Sequence, residues 1–441
     1  MNLAFPITKL RLSFTEILYI IFFIGLICAF RAVTSMCIGL MILTGLNQHR
    51  FRLALLFDNS PQSNFILGCI LFFLLQAVSL LYTNDFYEGL SNIQKKSGLL
   101  FTPLAVFYLN NLDDERSKKL FAVYCVLVFT ASSFLLCAAF FQYIHYRNSS
   151  VFFYHALVAP FRYHAVYFSI LVFIALVILL EALIRKTYIL RKSFHVFLVF
   201  FLSFFLFLLA SKLVLSFYVL YLFFLLFMSG QILLSRLFIY TTLVLLVFST
   251  AFTLITKNPV SDRFRDFTNG NISLVSQEKF SPSQYFNGLQ FRLLQWRLVP
   301  GILNENHAWW TGVTVGDAQT LLNKKYISLN MYHGNPQREG HGYLDYHAHN
   351  QLLQSVLESG IPGGIAFLFI CVSLIRLAWQ AKKRLLNFTV ILLLIYLFVE
   401  SLFEEQYGIV IFTFWPLFIN RYYKINTGLP GKQQQQFEKN V

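Results

Sequence analysis

The chain has 441 residues, of which 57% are hydrophobic and only 12% charged, and its mean hydropathy is +0.61. A soluble domain carries about twice that charged fraction, so an ordinary water-soluble fold is excluded. The net charge of +15 does not point to nucleic acid, because the lysines and arginines are scattered between apolar runs rather than gathered in one stripe.

Apolar runs that span a bilayer, or nearly so, lie at 14–31, 33–46, 64–83, 98–111, 119–143, 164–184, 193–211, 213–232, 236–256, 361–379, 385–402 and 406–422. A span needs about 20 residues, fewer where the helix is broken or buried, so the pattern predicts about twelve transmembrane helices, with 33–46 and 98–111 the short ones. The expected fold class is all-α and polytopic. Lys9 and Arg11 precede the first run with no small-residue cleavage site after it, which reads as a retained helix rather than a signal peptide. The 51 phenylalanines and 23 tyrosines suit lipid-facing and interfacial positions. Six cysteines, Cys28, Cys37, Cys69, Cys125, Cys137 and Cys371, all fall in apolar runs and read as small core residues.

The basic residues set the orientation. Lys9, Arg11, Arg50, Arg52, Arg116, Lys118, Lys119, Arg185, Lys186, Arg191, Lys192, Arg236, Arg376, Lys382, Lys383 and Arg384 fall on one side, with Arg421, Lys424, Lys432 and Lys439. The short loops on the other side hold only Arg31, Lys95, Lys96, Arg147, Arg162 and Lys212. Both termini are therefore expected in the cytoplasm. Lys95 and Lys96 depart from the pattern and are expected at the start of the fourth helix, snorkelling to the interface.

The chain divides into spans one to nine (1–256), one long outside segment (257–351), spans ten to twelve (352–424) and a polar tail (425–441) read as disordered. The long segment includes a helical-looking stretch from Gln284 to Leu303 and is too long for a plain connector, so a folded cap with short helices is expected. No internal repeat is evident.

At the end of that segment stand His347-Ala348-His349-Asn350, then an amphipathic run from Leu352 to Glu358, then Gly360-Ile361-Pro362-Gly363-Gly364. Glycine permits a turn and proline is tolerated in the first turn of a new helix. This places a titratable pair on a short helix lying against a membrane-entering one. Histidine titrates near neutral pH and can take a proton from a hydroxyl. The blander reading is a hydrogen-bonded loop that anchors a helix.

His349-Asn350, nine residues, Gly360, two residues, Gly363 resembles the His-Asn-x9-Gly-x-x-Gly signature of the bacterial O-antigen ligases, a superfamily shared with the O-antigen polymerases. The resemblance implies a multi-pass inner-membrane enzyme with its active site on the periplasmic face. It would transfer a glycan from undecaprenyl pyrophosphate to an acceptor hydroxyl, here lipid A–core, with inversion and with no metal or nucleotide. His349 would take the proton. The partners implied are the lipid-linked glycan donor, the glycan acceptor and membrane lipids.

A pyrophosphate leaving group needs positioned cations. Ser211-Lys212 sits between two apolar runs with almost no loop, and matches the family's Ser-Arg at this hairpin with lysine in place of arginine. Lysine keeps the charge and loses the bidentate fork. Arg292 and Trp296 share a helix face by their i, i+4 spacing, where the ring would support the guanidinium, and they match the family's Arg-x-x-x-Trp. Arg297 faces elsewhere and ranks lower. Arg162 reads as a helix-end anchor before a phosphate ligand. His347 and His341 are candidates for orienting His349 or lining the acceptor cleft, with Asn350 beside them, and Asp345 for pairing with either histidine. Trp309, Trp310, Tyr343 and Tyr346 would stack on sugars or rest at the interface. Of Glu400, Glu404 and Glu405, at least two read as a solvated loop.

No phosphate-binding glycine loop, Asp-x-Asp pair or His-Glu-x-x-His zinc site is present. A polymerase joining lipid-linked repeats is the alternative within the superfamily. A transporter or flippase is the alternative outside it, disfavoured because transporters bury their sites at the midplane and often show repeated halves.

Overall fold

Local sequence sets the helix starts. Ser13 and Glu16 form a capping box at the head of α1 (Phe14–Ile27). Ser60 accepts from the Ser63 amide ahead of Pro61 at the head of α3 (Pro61–Ser79). Asp113 accepts from the Arg116 amide at the head of α6 (Asp114–Tyr146). Each side-chain oxygen satisfies an amide that the first turn leaves unpartnered. This computed structural model describes residues 12–49, 56–109, 112–185, 187, 190–228, 272–334 and 342–423. The expected run at 236–256, the loop residues 257–271, His341 and the tail lie outside the described residues, as do Lys9, Arg11, Arg50, Arg52, Lys186 and Arg236.

All regular elements among the described residues are helical. Before the polar segment come also α2 (Arg31–His49), α4 (Phe86–Lys96), α5 (Gly98–Tyr108), α7 (Tyr154–Val158), α8 (Ala165–Ile184), α9 (Lys192–Leu208) and α10 (Lys212–Met228). Within it lie α11 (Gly288–Glu305) and α12 (Ala318–Ser328), and after it α13 (Gln351–Ala381), α14 (Arg384–Val399) and α15 (Gln406–Tyr422). The long helix expected from Gln284 starts at Gly288 because Asn287 and Gln290 cap it.

α8 and α15 are buried along nearly their whole length, as helices apolar on every face should be. They pack on each other, and α6, α9, α10 and α14 surround α8. Aromatic rings fill the centre: Trp415 stacks on Phe23 at 5.8 Å and meets Tyr124 at 4.4 Å. α3 lies along α13.

Among the described residues four helices, α3, α6, α8 and α13, are long and apolar enough to cross a membrane, and α1, α2, α9, α10 and α14 are shorter apolar helices. The difference from the expected spans has local causes. The run at 14–31 ends its helix at Ile27, and Ala29 takes the left-handed conformation at φ +60°. A helix of 14 residues rises about 21 Å, against about 30 Å of hydrocarbon. The run at 98–111 yields the 11-residue α5 with Pro103 inside it. All six cysteines are free, and Cys137 faces outward rather than into the core.

Lys95 and Lys96 do not snorkel. They end α4, and Lys96 is 1% exposed. Its ammonium lies 2.5 Å from a Glu358 carboxylate oxygen and 2.9 Å from one of Glu404, partners that make burial of the charge tolerable. Lys95 donates to the Asn92 side chain at 2.8 Å.

The polar segment folds around its own core, with Phe286, Phe291, Leu294, Leu298, Leu322 and Tyr326 at its centre. Arg292 joins it to the end of α14, and two further joins tie it to the membrane-type helices. The Asp317 carboxylate accepts from the backbone amides of Asn84 (2.9 Å) and Asp85 (3.2 Å) and from the Thr314 hydroxyl (2.9 Å). Burial raises this carboxyl, but those bonds outweigh it and hold it below its ordinary range. The second join is a stretch of backbone pairing: the Val313 amide donates to Leu357 O (2.7 Å), Thr314 to Glu358 O (3.1 Å) and Ile361 to Trp309 O (2.8 Å).

That pairing sits where α13 breaks. Ser359 and Gly360 leave helical geometry, Gly360 at φ +64° and ψ −164°, a region essentially reserved for glycine. A Cβ at Gly360 would also lie 2.5 Å from the Trp310 backbone, and one at Gly363 would lie 2.6 Å from Ser355 O across the break. The two glycines of the signature thus have separate physical reasons, a backbone conformation and a close approach.

Candidate functional site

Asn350 begins the short helix before the break. Its side chain accepts from the Leu353 amide at 3.1 Å and donates to Phe398 O at 3.3 Å, so it caps α13 and ties it to the end of α14. The anchoring reading holds for this residue. His349, one position earlier, is held at φ +46°, uncommon for a residue with a side chain and of the kind that collects at functional sites.

The His349 ring reaches Glu400, at the end of α14. Nδ1 lies 2.7 Å from Oε1. A carboxylate there favours the tautomer that donates from Nδ1, which leaves Nε2 as the acceptor. Phe291 and Tyr346 flank the ring at 6.4 and 5.7 Å. The other carboxylate oxygen of Glu400 lies 3.5 Å from Arg292 Nη2. Arg292 is braced further by Nε donating to Val399 O (2.8 Å) and Nη1 to Gly288 O (2.9 Å). Three of the five guanidinium N–H groups are thereby used and two remain for a ligand. Burial pushes Glu400 up, but the His349 bond and the charge of Arg292 help to outweigh it and hold it below its ordinary range. The side chains of His349, Glu400 and Arg292 keep 16%, 22% and 30% of their surface, so the constellation opens to one side.

Glu400 is the residue that sequence reasoning undervalued. Glu404 is buried against Lys96, while Glu400 and Glu405 are partly exposed, Glu405 pairing with Arg31 at 3.3 Å. So two of the three carboxylates are not a solvated loop. A signal existed: a carboxylate closing an apolar helix opposes the helix dipole and is half-desolvated, so it needs a cationic partner. His164, at the head of α8, also acts on the Glu400 charge, and it stands 4.3 Å from the His155 ring.

The other candidates fall as follows. Ser211 Oγ hydrogen-bonds the Tyr396 hydroxyl at 2.8 Å, one turn before Glu400, so Lys212 opens α10 at the same end of α14 as the His349 pair. Trp296 does not stack on Arg292: among the described residues the one cation–π contact is Arg31 over Tyr407. Carbonyls and Glu400 support the guanidinium instead, and Trp296 Nε1 is buried with no hydrogen-bond partner. Arg297 turns away to the carbonyls of Val275 and Gln277, as expected. Arg162 adopts φ +50° and closes a short turn through its amide to Ala159 O. His347 does not orient His349, since Glu400 holds Nδ1. Its carbonyl accepts from Gln295 at 2.6 Å, its Nδ1 is buried without a partner, and burial pushes the ring down to about 4. Asp345 accepts from Asn323 at 2.9 Å.

A base oriented by a carboxylate, beside a braced guanidinium on the same carboxylate, is suited to activating a hydroxyl next to an anion. Residues 197–368 match the family model for O-antigen ligase. The match supports placing the chain in the O-antigen ligase superfamily, and with the apolar helices it indicates a multi-pass bacterial membrane protein with glycosyltransferase-type glycan handling. The matched segment holds Lys212, Arg292, Trp296 and the whole His349-to-Gly363 signature, while Glu400 lies beyond it. No curated protein matches the chain.

Proposed function

We propose that this protein transfers a glycan from undecaprenyl pyrophosphate to an acceptor hydroxyl on the periplasmic face of the inner membrane, with O-antigen ligation to lipid A–core as its reaction. The observation that carries the reading is the single carboxylate of Glu400 engaged by His349 on one oxygen and Arg292 on the other. The acceptor oxygen attacks the anomeric carbon, and its proton passes to His349 Nε2. The bond from that carbon to the pyrophosphate breaks, and both electrons leave with the lipid carrier. One displacement inverts the anomeric centre. Arg292, with Lys212, binds the pyrophosphate and stabilises the charge that grows on it. The chemistry invokes no metal.

Ligation is preferred to polymerisation because the compact signature from His349 to Gly363 resembles the ligases more closely, and because the remaining outside loops are short. Deletion followed by analysis of both glycan pools tests the choice. A ligase deletion accumulates long lipid-linked polymer and leaves the surface lipid with a bare core. Single repeat units, on the core or on the carrier, would instead establish the polymerase.

A further inference from the structure

The reaction uses none of the buried charges beneath His349, yet they connect the two segments that carry its partners. Lys96 sits on α4, outside both segments. Its ammonium contacts Glu358, at the end of the short helix that Asn350 begins, and Glu404, in the turn that follows Glu400. The three side chains are between 95% and 99% buried. Each segment is further tied to the network: Gln354 donates to the other Glu358 oxygen at 2.9 Å and accepts from the Ala348 amide at 3.1 Å, one residue from His349. Gln351 accepts from the Phe403 amide at 2.7 Å. Glu358, Lys96 and His349 all act electrostatically on His347.

We propose that Lys96 is a positioning residue for transfer, its ammonium gripping Glu358 and Glu404 so that His349 and Glu400 are held in register. Helix caps and apolar packing would hold each segment folded by itself. Asn350 to Phe398 O and Gln351 to the Phe403 amide link the segments by single neutral bonds; the ion group adds a charged clamp on the offset between them, and an error of about 1 Å in a catalytic pair costs on the order of 10²-fold in rate. An apolar core of the same volume would serve stability at least as well as a buried ion group, so the charges are explained by the register they impose.

The proposal rests on the transfer reading, and the experiment separates the two. The variants are Lys96→Met/Glu358→Gln/Glu404→Gln, which removes the grip without stranding a buried charge, and Glu404→Gln alone, which keeps the Lys96–Glu358 pair. His349→Ala and Glu400→Gln are measured beside them in proteoliposomes with lipid-linked donor. The triple variant is expected to unfold at the wild-type temperature, with kcat down at least 10-fold and KM for donor within 2-fold. Glu404→Gln is expected to lose kcat several-fold, again without a change in KM. Wild-type kcat in either folded variant would overturn the positioning role, as would a loss confined to KM. Should the triple variant not fold, Glu404→Gln decides alone. If His349→Ala and Glu400→Gln themselves transfer at the wild-type rate, the transfer reading fails, and the positioning role with it.

Discussion

His349 and Glu400 stand 51 positions apart in the chain and 2.7 Å apart in space. One comes from the end of the polar segment and the other from the end of an apolar helix. Their pairing fixes which ring nitrogen is free. Glu400→Gln can still accept from Nδ1 but cannot stabilise the imidazolium that forms when Nε2 takes a proton. Loss of such support is expected to lower kcat by roughly 10²–10³ with protein abundance unchanged. His349→Ala should fall at least as far. Undiminished transfer by Glu400→Gln in a purified assay would remove the carboxylate from the mechanism.

Arg292 is expected to tolerate no replacement. Lysine keeps the charge but cannot bond Gly288 O, Val399 O and Glu400 from one planar group, so Arg292→Lys should lose at least tenfold in transfer. Arg297→Ala, which gives up only the carbonyls of Val275 and Gln277, should stay close to wild type. Lys212→Arg should retain or raise activity while Lys212→Ala lowers it. EDTA should change none of these rates. Equal losses for Arg292→Lys and Arg297→Ala would mean that the helix, not the guanidinium, is what matters.

His347 should make stability fall with acid. Its ordinary value is 6.5 and in the fold it is pushed down to about 4. Between those values the unfolded chain binds a proton that the folded chain refuses, so stability drops as pH falls from 6.5 and levels off below 4. The loss is roughly 3 kcal/mol at most. Thermal unfolding in detergent across this range should show it, and His347→Gln should flatten the slope. An unchanged slope in that variant would assign the acid sensitivity to other groups.

Gly360→Ala should be severely destabilising, by more than about 3 kcal/mol, because it combines a forbidden backbone conformation with a Cβ overlapping the Trp310 backbone. Gly301→Ala is the contrast. It lies inside α11 with nothing within 4 Å of the new carbon, and should be neutral or stabilising by about 0.5–1 kcal/mol. Membrane yield and thermal unfolding of the two variants, measured side by side, would show whether the break depends on that glycine.

The periplasmic placement can be checked with cysteine at the exposed Lys324 of α12. An impermeant maleimide should label it in cells with only the outer membrane permeabilised. Labelling that appears only after inner-membrane lysis would reverse the orientation.

How far the sequence could be read follows from where each interaction lives. The signature at His349 to Gly363 is local, and its helix and its break are visible as spacing, while the capping role of Asn350 comes only with the structure. Arg292 was visible as a cation on an amphipathic helix. Glu400, Lys96 and Glu404 were not, because their meaning comes from partners 51 to more than 300 positions away. A lysine at the head of an apolar run reads as snorkelling to the interface until the fold places two carboxylates on it. The membrane-type helices were legible as hydropathy, but their lengths were not, since a single left-handed residue such as Ala29 ends a helix inside an apolar run. Trp296 shows the opposite failure: correct helical spacing to Arg292, and a guanidinium drawn away by Glu400.

Asp317 gathers donors from the α3–α4 corner on one flank of the polar segment, while Arg292 grips the end of α14 on the other. The backbone pairing at the α13 break fastens it at a further place, and a body held at three places has no axis left to swing about. Turnover should therefore not wait on the opening of this roof. Donor and acceptor would have to slide in sideways, along the bilayer plane, and exchange there. The pace of the cycle would then follow lateral lipid traffic, and it should respond to membrane fluidity more than to solvent viscosity.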